Sequence, residues 1–396
     1  RLIWLHCLLE KTNQIRATLR KELAIMKDTI KYVGLDVSKE KIAVAIADEG
    51  RDEPRYWGMI PNTPESIRKL VKKLGEKENL RVCYEAGPTG YGLHRLFLTL
   101  GIECDVIAPS LIPKKPGERI KTDRRDSIKL AKLFRAGELT PVYVPTEDDE
   151  ALRDLVRARE DAKEDELRAK HRLSKFLLRN DIHPPFKGKK WTRRYREWLN
   201  TLKFERSASK VVFQEYLHHL QEIEQRVKRF EEEIKLQSTE GYHAPMIQAL
   251  QSLRGIATIT ATSLVAEIGS FKRFATPKKL MSYVGLIPSE SSSGETRRQG
   301  NITKTGNRHV RRLLVEAAWS YRFPPAIKGD LKKRLEGQLP NVQMISWKAQ
   351  NRLHKKYFRL LSRGKAFGKA LTAIARELAG FIWAVTQEIE NNSMAK

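Results

Sequence analysis

The stretch Lys31-Tyr32-Val33-Gly34-Leu35-Asp36-Val37-Ser38-Lys39-Glu40-Lys41-Ile42-Ala43-Val44-Ala45-Ile46-Ala47 sets the architecture of the N-terminal part. Two apolar, β-branched runs flank a polar turn at 38–41, which reads as two strands joined by a short connection. Asp36 stands inside the first run, between Leu35 and Val37. A carboxylate there costs free energy unless it is paired or binds a cation.

Residues 55–60 read as a third strand. Thr63 and Pro64 then suit the cap and first position of a helix. Residues 80–84 predict a strand that ends on Glu85 and a Gly/Pro turn at 86–90. A helix over 91–100 and a strand over 104–108 follow, and this alternation predicts an α/β domain. A proline-containing loop over 109–122 leads to a helix from near Asp123 to about Arg135, and Pro141 and Pro145 mark a boundary. Glu85 falls at a strand end, where open α/β sheets place functional groups. Asp123 and Asp126, three apart, share one helix face. Singly, each acid reads as well as a strand-end cap or a surface partner of Arg124, Arg125 or Lys129. Jointly, Asp36, Glu85, Asp123 and Asp126 suit a Mg²⁺ site for phosphoryl transfer, because magnesium takes hard oxygen ligands and bridges phosphate oxygens.

A charge-dense helix is expected over 147–179, broken by His183-Pro184-Pro185. A basic stretch at 187–196 carries Trp191 and Tyr195. In the next long helix Phe213, Tyr216, Leu220, Ile223, Val227, Phe230 and Ile234 form an unbroken heptad seam. This predicts an antiparallel hairpin, a coiled-coil dimerisation arm, or a bundle within one monomer. From 247 onward the pattern is mostly helical, with helices over 307–321 and 346–386. Leu253-Arg254-Gly255-Ile256-Ala257 with Ala261, Leu264 and Ile268 suggests a helix-hairpin-helix element, whose amides would meet a DNA backbone. Trp347, Lys348, Arg352, Lys355, Lys356, Tyr357 and Arg359 mix cations with aromatics. The aromatics there have core spacing, while the lysines suit phosphates.

Residues 287–306 are too polar for a core and contain Ser289-Glu290-Ser291-Ser292-Ser293-Gly294, then Arg297, Arg298, Lys304 and Arg308. A serine in a flexible loop is a nucleophile when a base or metal activates it, and nearby cations can clamp a phosphate. On composition alone, a Ser/Gly linker beside a basic surface explains the stretch at least as well.

The 396 residues suggest two or three domains, and 40% hydrophobic content excludes a wholly disordered chain. Lysine and arginine number 75 against 48 acids, a net charge of +27, which points to nucleic acid as partner. Residues 1–145 carry +8, residues 146–236 carry +3, and residues 251–396 carry +17. Cys7, Cys83 and Cys104 lack zinc spacing and suit a reducing, cytoplasmic setting. No apolar run nears the ~20 residues of a membrane helix, so no membrane partner is expected. The apolar run at 2–9 lacks a small-residue cleavage site and is not read as a signal peptide.

Together the segments Gly34-Leu35-Asp36-Val37-Ser38-Lys39, Tyr84-Glu85-Ala86-Gly87 and Lys121-Thr122-Asp123-Arg124-Arg125-Asp126 resemble the DEDD transposases of insertion-sequence family 110. So do Gly285-Leu286-Ile287-Pro288, Ser292-Ser293-Gly294, and Gly300 through Lys304 to Gly306-Asn307-Arg308. The resemblance spans about residues 31–385. It implies a RuvC-like, ribonuclease-H-like domain whose acids Asp36, Glu85, Asp123 and Asp126 hold Mg²⁺. It implies a C-terminal transposase domain in which Ser293 forms a 5′-phosphoserine link, with Ser292 the neighbouring alternative. It also implies dimers pairing into tetramers, and a non-coding bridge RNA that guides donor and target DNA. Residues 1–25 have no counterpart in the family.

The resulting expectation is α/β plus all-α: an N-terminal extension over 1–25, a RuvC-like domain over 26–146, coiled-coil helices over 147–240 and a helical transposase domain over 241–396. The expected activity is RNA-guided DNA recombination, with Arg297, Arg298, Lys304 and Arg308 as phosphate clamps. A metal-dependent nuclease using water is the second reading, and a non-catalytic nucleic-acid assembly factor the third.

Overall fold

The computed structural model describes residues 29–113, 117, 120–294 and 296–394, so Cys7 and the expected extension over 1–25 lie outside the described residues. The chain divides into two units, one ending at Val144 and the other beginning at Pro145.

In the first unit the opening strands are β1 (Lys31–Val37) and β2 (Lys41–Asp48), antiparallel, with Asp36 opposite Ala43. Strand β3 (Arg55–Pro61) adds to β2, while β4 (Leu80–Glu85) runs parallel to β1 and β5 (Glu103–Ile107) parallel to β4. The sheet order is β3-β2-β1-β4-β5. Helix α1 (Pro64–Leu74) starts as its sequence demands: Thr63 Oγ1 accepts from the Ser66 amide, and Pro64 needs no partner for a missing N–H. Its Ile67, Leu70, Val71 and Leu74 join Val33, Leu35, Val44, Ile46, Val82 and Tyr84 in one core. Phe97 of α2 (Gly92–Thr99) packs into the same core. Alternate residues of β1 and β2 face the other side of the sheet, where α3 (Asp123–Arg135) lies.

The second unit opens with α4 (Glu147–Arg179), α5 (Arg193–Thr201) and α6 (Ser207–Glu240). The heptad seam of α6 is filled from within this chain. Phe213, Leu220, Ile223 and Val227 are buried with Ala162, Ala169, Leu173, Phe176 and Leu177 of α4. Arg159 of α4 bonds Glu231, and Lys170 lies 3.9 Å from Glu224, so the pair runs antiparallel. The aromatics of 187–196 belong to this pair too: Tyr195 is buried, and the Trp191 ring lies 5.4 Å from it. Tyr195 is part of the core, and half-buried Trp191 packs against it.

Helices α7 (Ala244–Leu250), α8 (Thr258–Ile268) and α9 (Pro277–Tyr283) follow. Apolar α8 is central, buried at Ala261, Leu264, Val265, Ala266 and Ile268, with α4, α6 and α7 against it. Beyond a two-stranded ribbon described below come α10 (Arg308–Ala318), α11 (Asp330–Leu335), α12 (Pro340–Ser362) and α13 (Phe367–Met394). The first unit is therefore mixed α/β and the second mostly helical. Among the described residues no helix is long and apolar enough to cross a membrane.

Candidate active site

Gly34 decides where α3 lies. A Cβ there would stand 2.4 Å from the Ala131 amide nitrogen and 2.6 Å from the Ser127 carbonyl oxygen. Without a side chain, β1 lets the helix backbone rest directly on it. Ala45, Ala47 and Ala131 complete this seat of small residues. Asp36, two residues on, shares the face of Gly34. Helix α3 begins at Asp123 because Thr122 caps it, its Oγ1 accepting from the Arg125 amide at 3.3 Å. Its first turn thus carries Asp123 and Asp126 toward Asp36.

The electrostatics register this placement. Partial burial and then the charges of Asp123 and Asp126 raise the Asp36 carboxyl to about 6, with Lys121 opposing and Glu85 adding to the rise. Glu85 closes β4 one residue past Tyr84, which pairs with Leu35, so Glu85 and Asp36, next to last in β1, stand at the same end of adjacent parallel strands. Three of the acids singled out in the sequence, Asp123, Asp126 and Glu85, therefore act on the fourth, Asp36. Among the described residues no three His, Cys, Asp or Glu side chains are gathered into a ligand cluster. Hard carboxylates are the donor type that a divalent cation takes.

The stretch around Ser293 was expected to be a flexible loop. It is instead a β-ribbon of β6 (Pro288–Ser293) and β7 (Thr296–Ile302), with Ser293 opposite Thr296 at its tip. Alternation sorts the serines. Ser292 donates to Glu290 Oε1 at 3.0 Å, and Arg297 Nη2 donates to Glu290 Oε2 at 2.8 Å. Those bonds, that from Arg297 first, hold the Glu290 carboxyl low, which makes it a weak base for Ser292. Ser293 Oγ lies on the other face, 3.4 Å from Thr296 Oγ1. Arg297, an expected phosphate clamp, is paired with Glu290. Among the described residues Arg298, Lys304 and Arg308 form no ion pair. Lys304 sits at the ribbon base with φ +56°, and Arg308 opens α10.

The ribbon tip is exposed, but its base is fixed. The Thr303 amide donates to the Ile287 carbonyl at 2.9 Å, and the Lys304 amide to that of Gly285 at 3.1 Å. Gly306, at φ +70°, leaves room for the Tyr283 carbonyl, which a Cβ would meet at 1.8 Å. Arg311 Nη1 donates to the Val284 and Thr305 carbonyls, each at 3.0 Å. Sequence reading missed this clamp; the closely spaced glycines at 285, 300 and 306 were its only local trace.

The helix-hairpin-helix expectation is met in outline only. A tight turn joins α7 to α8, but Leu253 and Ile256 are buried, and a Cβ on Gly255 would meet the Ala317 carbonyl oxygen at 2.4 Å. That side of the turn is pressed on α10 and does not face a ligand.

Comparison with known proteins follows the same two parts. The family model described as transposase IS116/IS110/IS902 matches residues 247–329, and the IS110-type DEDD transposase model matches residues 33–181. The chain is 47% identical over 361 residues to the y4qE protein of Sinorhizobium fredii, covering 90% of this chain and 88% of that one. It is 34% identical over 339 residues to the transposase for insertion sequence element IS1533 of Leptospira borgpetersenii, covering 84% and 97%. The transposase for element IS1111A of Coxiella burnetii is 24% identical over 379 residues, covering 92% of each chain.

Proposed function

This chain belongs to the IS116/IS110/IS902 family of insertion-sequence transposases, and from that premise we propose that it is a serine-nucleophile DNA recombinase with a Mg²⁺-dependent carboxylate set. One observation carries the reading: Asp36 and Glu85 stand at the same end of adjacent parallel strands, and Asp123 and Asp126, on the helix that rests on Gly34, raise the Asp36 carboxyl. The strand order β3-β2-β1-β4-β5, antiparallel through β1–β3 and parallel beyond, supports a RuvC-like assignment of this domain.

Asp36, Glu85, Asp123 and Asp126 would hold the metal. When bound, Mg²⁺ supplies neutralisation of the charge that develops on a phosphate under attack. The protein's part is to hold four acids ready for it and to present a hydroxyl. Ser293 Oγ attacks phosphorus; the Oγ–P bond forms and the bond to the 3′ oxygen breaks. The serine proton leaves Oγ, and the departing 3′ oxygen takes up a proton to become a hydroxyl. The phosphodiester energy is retained for rejoining. Ser293 is preferred over Ser292 because Ser292 is committed to Glu290. Arg298, Lys304 and Arg308 are the cations left for phosphate. Guidance by a non-coding bridge RNA and assembly of dimers into tetramers complete this reading and rest on kinship with the family.

The test is a denaturing gel of end-labelled donor DNA treated with the protein and Mg²⁺. A covalent protein–DNA adduct should form, persist in Ser292→Ala and vanish in Ser293→Ala. Adducts that persist in Ser293→Ala overturn the nucleophile. Free 5′-phosphate ends without protein would instead establish the nuclease reading, with water as nucleophile.

A further inference from the structure

A cavity of about 960 Å³ opens between the ribbon and the start of α13. One wall is residues 299–302 of β7, the strand paired to the one that bears Ser293. The other is the first three turns of α13. Four cations reach into it: Lys304 from the ribbon base, and Lys365, Lys369 and Arg376 from α13 and the residues before it. Lys369 and Arg376, seven residues apart, fall on one face of α13, and Lys365 lies two residues before that helix begins. Among the described residues none of the four forms an ion pair, and no carboxylate lines the cavity. Glu377, next to Arg376, is taken by Arg352 and Lys356. Leu360 and Ala370 give the floor an apolar surface.

Four uncompensated cations around one groove repel one another, and a run of phosphates lying among them relieves that repulsion. We propose that this groove holds the phosphodiester backbone of the DNA strand that Ser293 cuts. The assignment to DNA follows from the shared wall: β7 runs from Thr296, opposite Ser293, straight into the groove. Three to six residues along a strand are roughly 10–20 Å. At 3.4 Å per stacked nucleotide, the strand in the groove lies roughly three to six nucleotides from the cut. The positive end of the α13 dipole adds to the attraction. The inference rests on the serine reading for its position, but it concerns binding, which needs no cleavage.

The experiment measures binding of the full-length chain to labelled single-stranded DNA by fluorescence anisotropy over a range of salt. The variant Lys365→Gln/Lys369→Gln/Arg376→Gln is compared with Lys69→Gln/Lys72→Gln/Lys73→Gln, which removes the same charge from exposed positions on α1. The groove variant should bind roughly tenfold more weakly, and its log–log salt slope should be shallower by roughly 2, at about 0.7 per phosphate contact. The α1 variant should keep the slope. Equal losses in both would reduce the effect to net charge and overturn the groove. If the triple variant misfolds, Lys365→Gln/Lys369→Gln carries the same comparison with a slope change of roughly 1.4. Single-stranded RNA of the same sequence is run beside the DNA; a slope change confined to RNA overturns the assignment to the cut strand. Ser293→Ala should bind DNA with the full slope, so failure of the serine chemistry and failure of the groove are seen separately.

Discussion

Asn307 donates through Nδ2 to Glu267 Oε2 at 2.7 Å, while its Oδ1 accepts from the Val310 amide at 3.1 Å. One amide thus caps α10 and satisfies a buried carboxylate on α8, just below the ribbon. Arg157 of α4 completes the cluster with bonds of 2.7 and 3.0 Å to Glu267. As a helix cap alone, Asp would replace Asn at little cost. Here Asn307→Asp sets a second carboxylate against Glu267. Asn307→Ala should cost about 1–2 kcal/mol, the usual loss of a cap. Asn307→Asp should cost at least as much in urea unfolding, reversing the ordinary ranking of caps.

The same cluster sets an acid limit. Burial alone would raise the Glu267 pKa, but the hydrogen bonds and charge of Arg157, with Asn307, outweigh it, and the folded value lies below 4.5. A group with a depressed folded pKa gives stability that is complete above its unfolded value and is lost as pH falls through the folded one. Stability should therefore decline below about pH 4.5. Glu267→Gln should lower stability at pH 7 and flatten that decline. Unfolding free energies measured from pH 7 to pH 3 check it; parallel curves for the two proteins would contradict it.

How much of this was legible depended on how local each cause is. The strands around Asp36, the cap at Thr63 and the start of α3 at Thr122 follow from neighbours in sequence, and the sequence reading places them closely. That Asp123 and Asp126 raise the Asp36 carboxyl was not legible, because it depends on α3 resting on Gly34, a contact of residues almost one hundred apart. The heptad seam of α6 announced that something must cover it, and periodicity is silent on what: here it is α4. The ribbon escaped notice because Ser289 to Asn301 offers no apolar alternation; its pairing is imposed from Tyr283, Gly285, Gly306 and Arg311 at its base. The groove cations become a site only when the ribbon supplies the second wall.

The two ends of the ribbon should respond differently to one added methyl group. Gly306→Ala places a Cβ 1.8 Å from the Tyr283 carbonyl oxygen at φ +70°, so the ribbon base must move. Gly294→Ala, at the tip, meets nothing within 4 Å and bears only the strain of φ +57°. The tip variant should lose about 1 kcal/mol and the base variant at least about 3 kcal/mol. Thermal melts of both variants measure the difference, and similar melting temperatures would mean that the base is not the rigid end.

Gly34 offers the sharpest separation of fold from acid geometry. In Gly34→Ala the new methyl group displaces α3, because the atoms it meets at 2.4 and 2.6 Å are backbone. Asp123 and Asp126 then recede from Asp36, and their contribution to its raised pKa recedes with them. The Asp36 carboxyl should fall from about 6 toward its ordinary 3.8, stopping short because burial, the largest cause, partly persists. A ¹³C-carboxyl titration followed by NMR reads this directly in the metal-free protein. Strand transfer should drop together with that shift, while Ser293 and its ribbon, in the other unit, are untouched by the substitution. An Asp36 titration unchanged in Gly34→Ala would show that α3 does not position the acids, and any loss of activity would then need another cause.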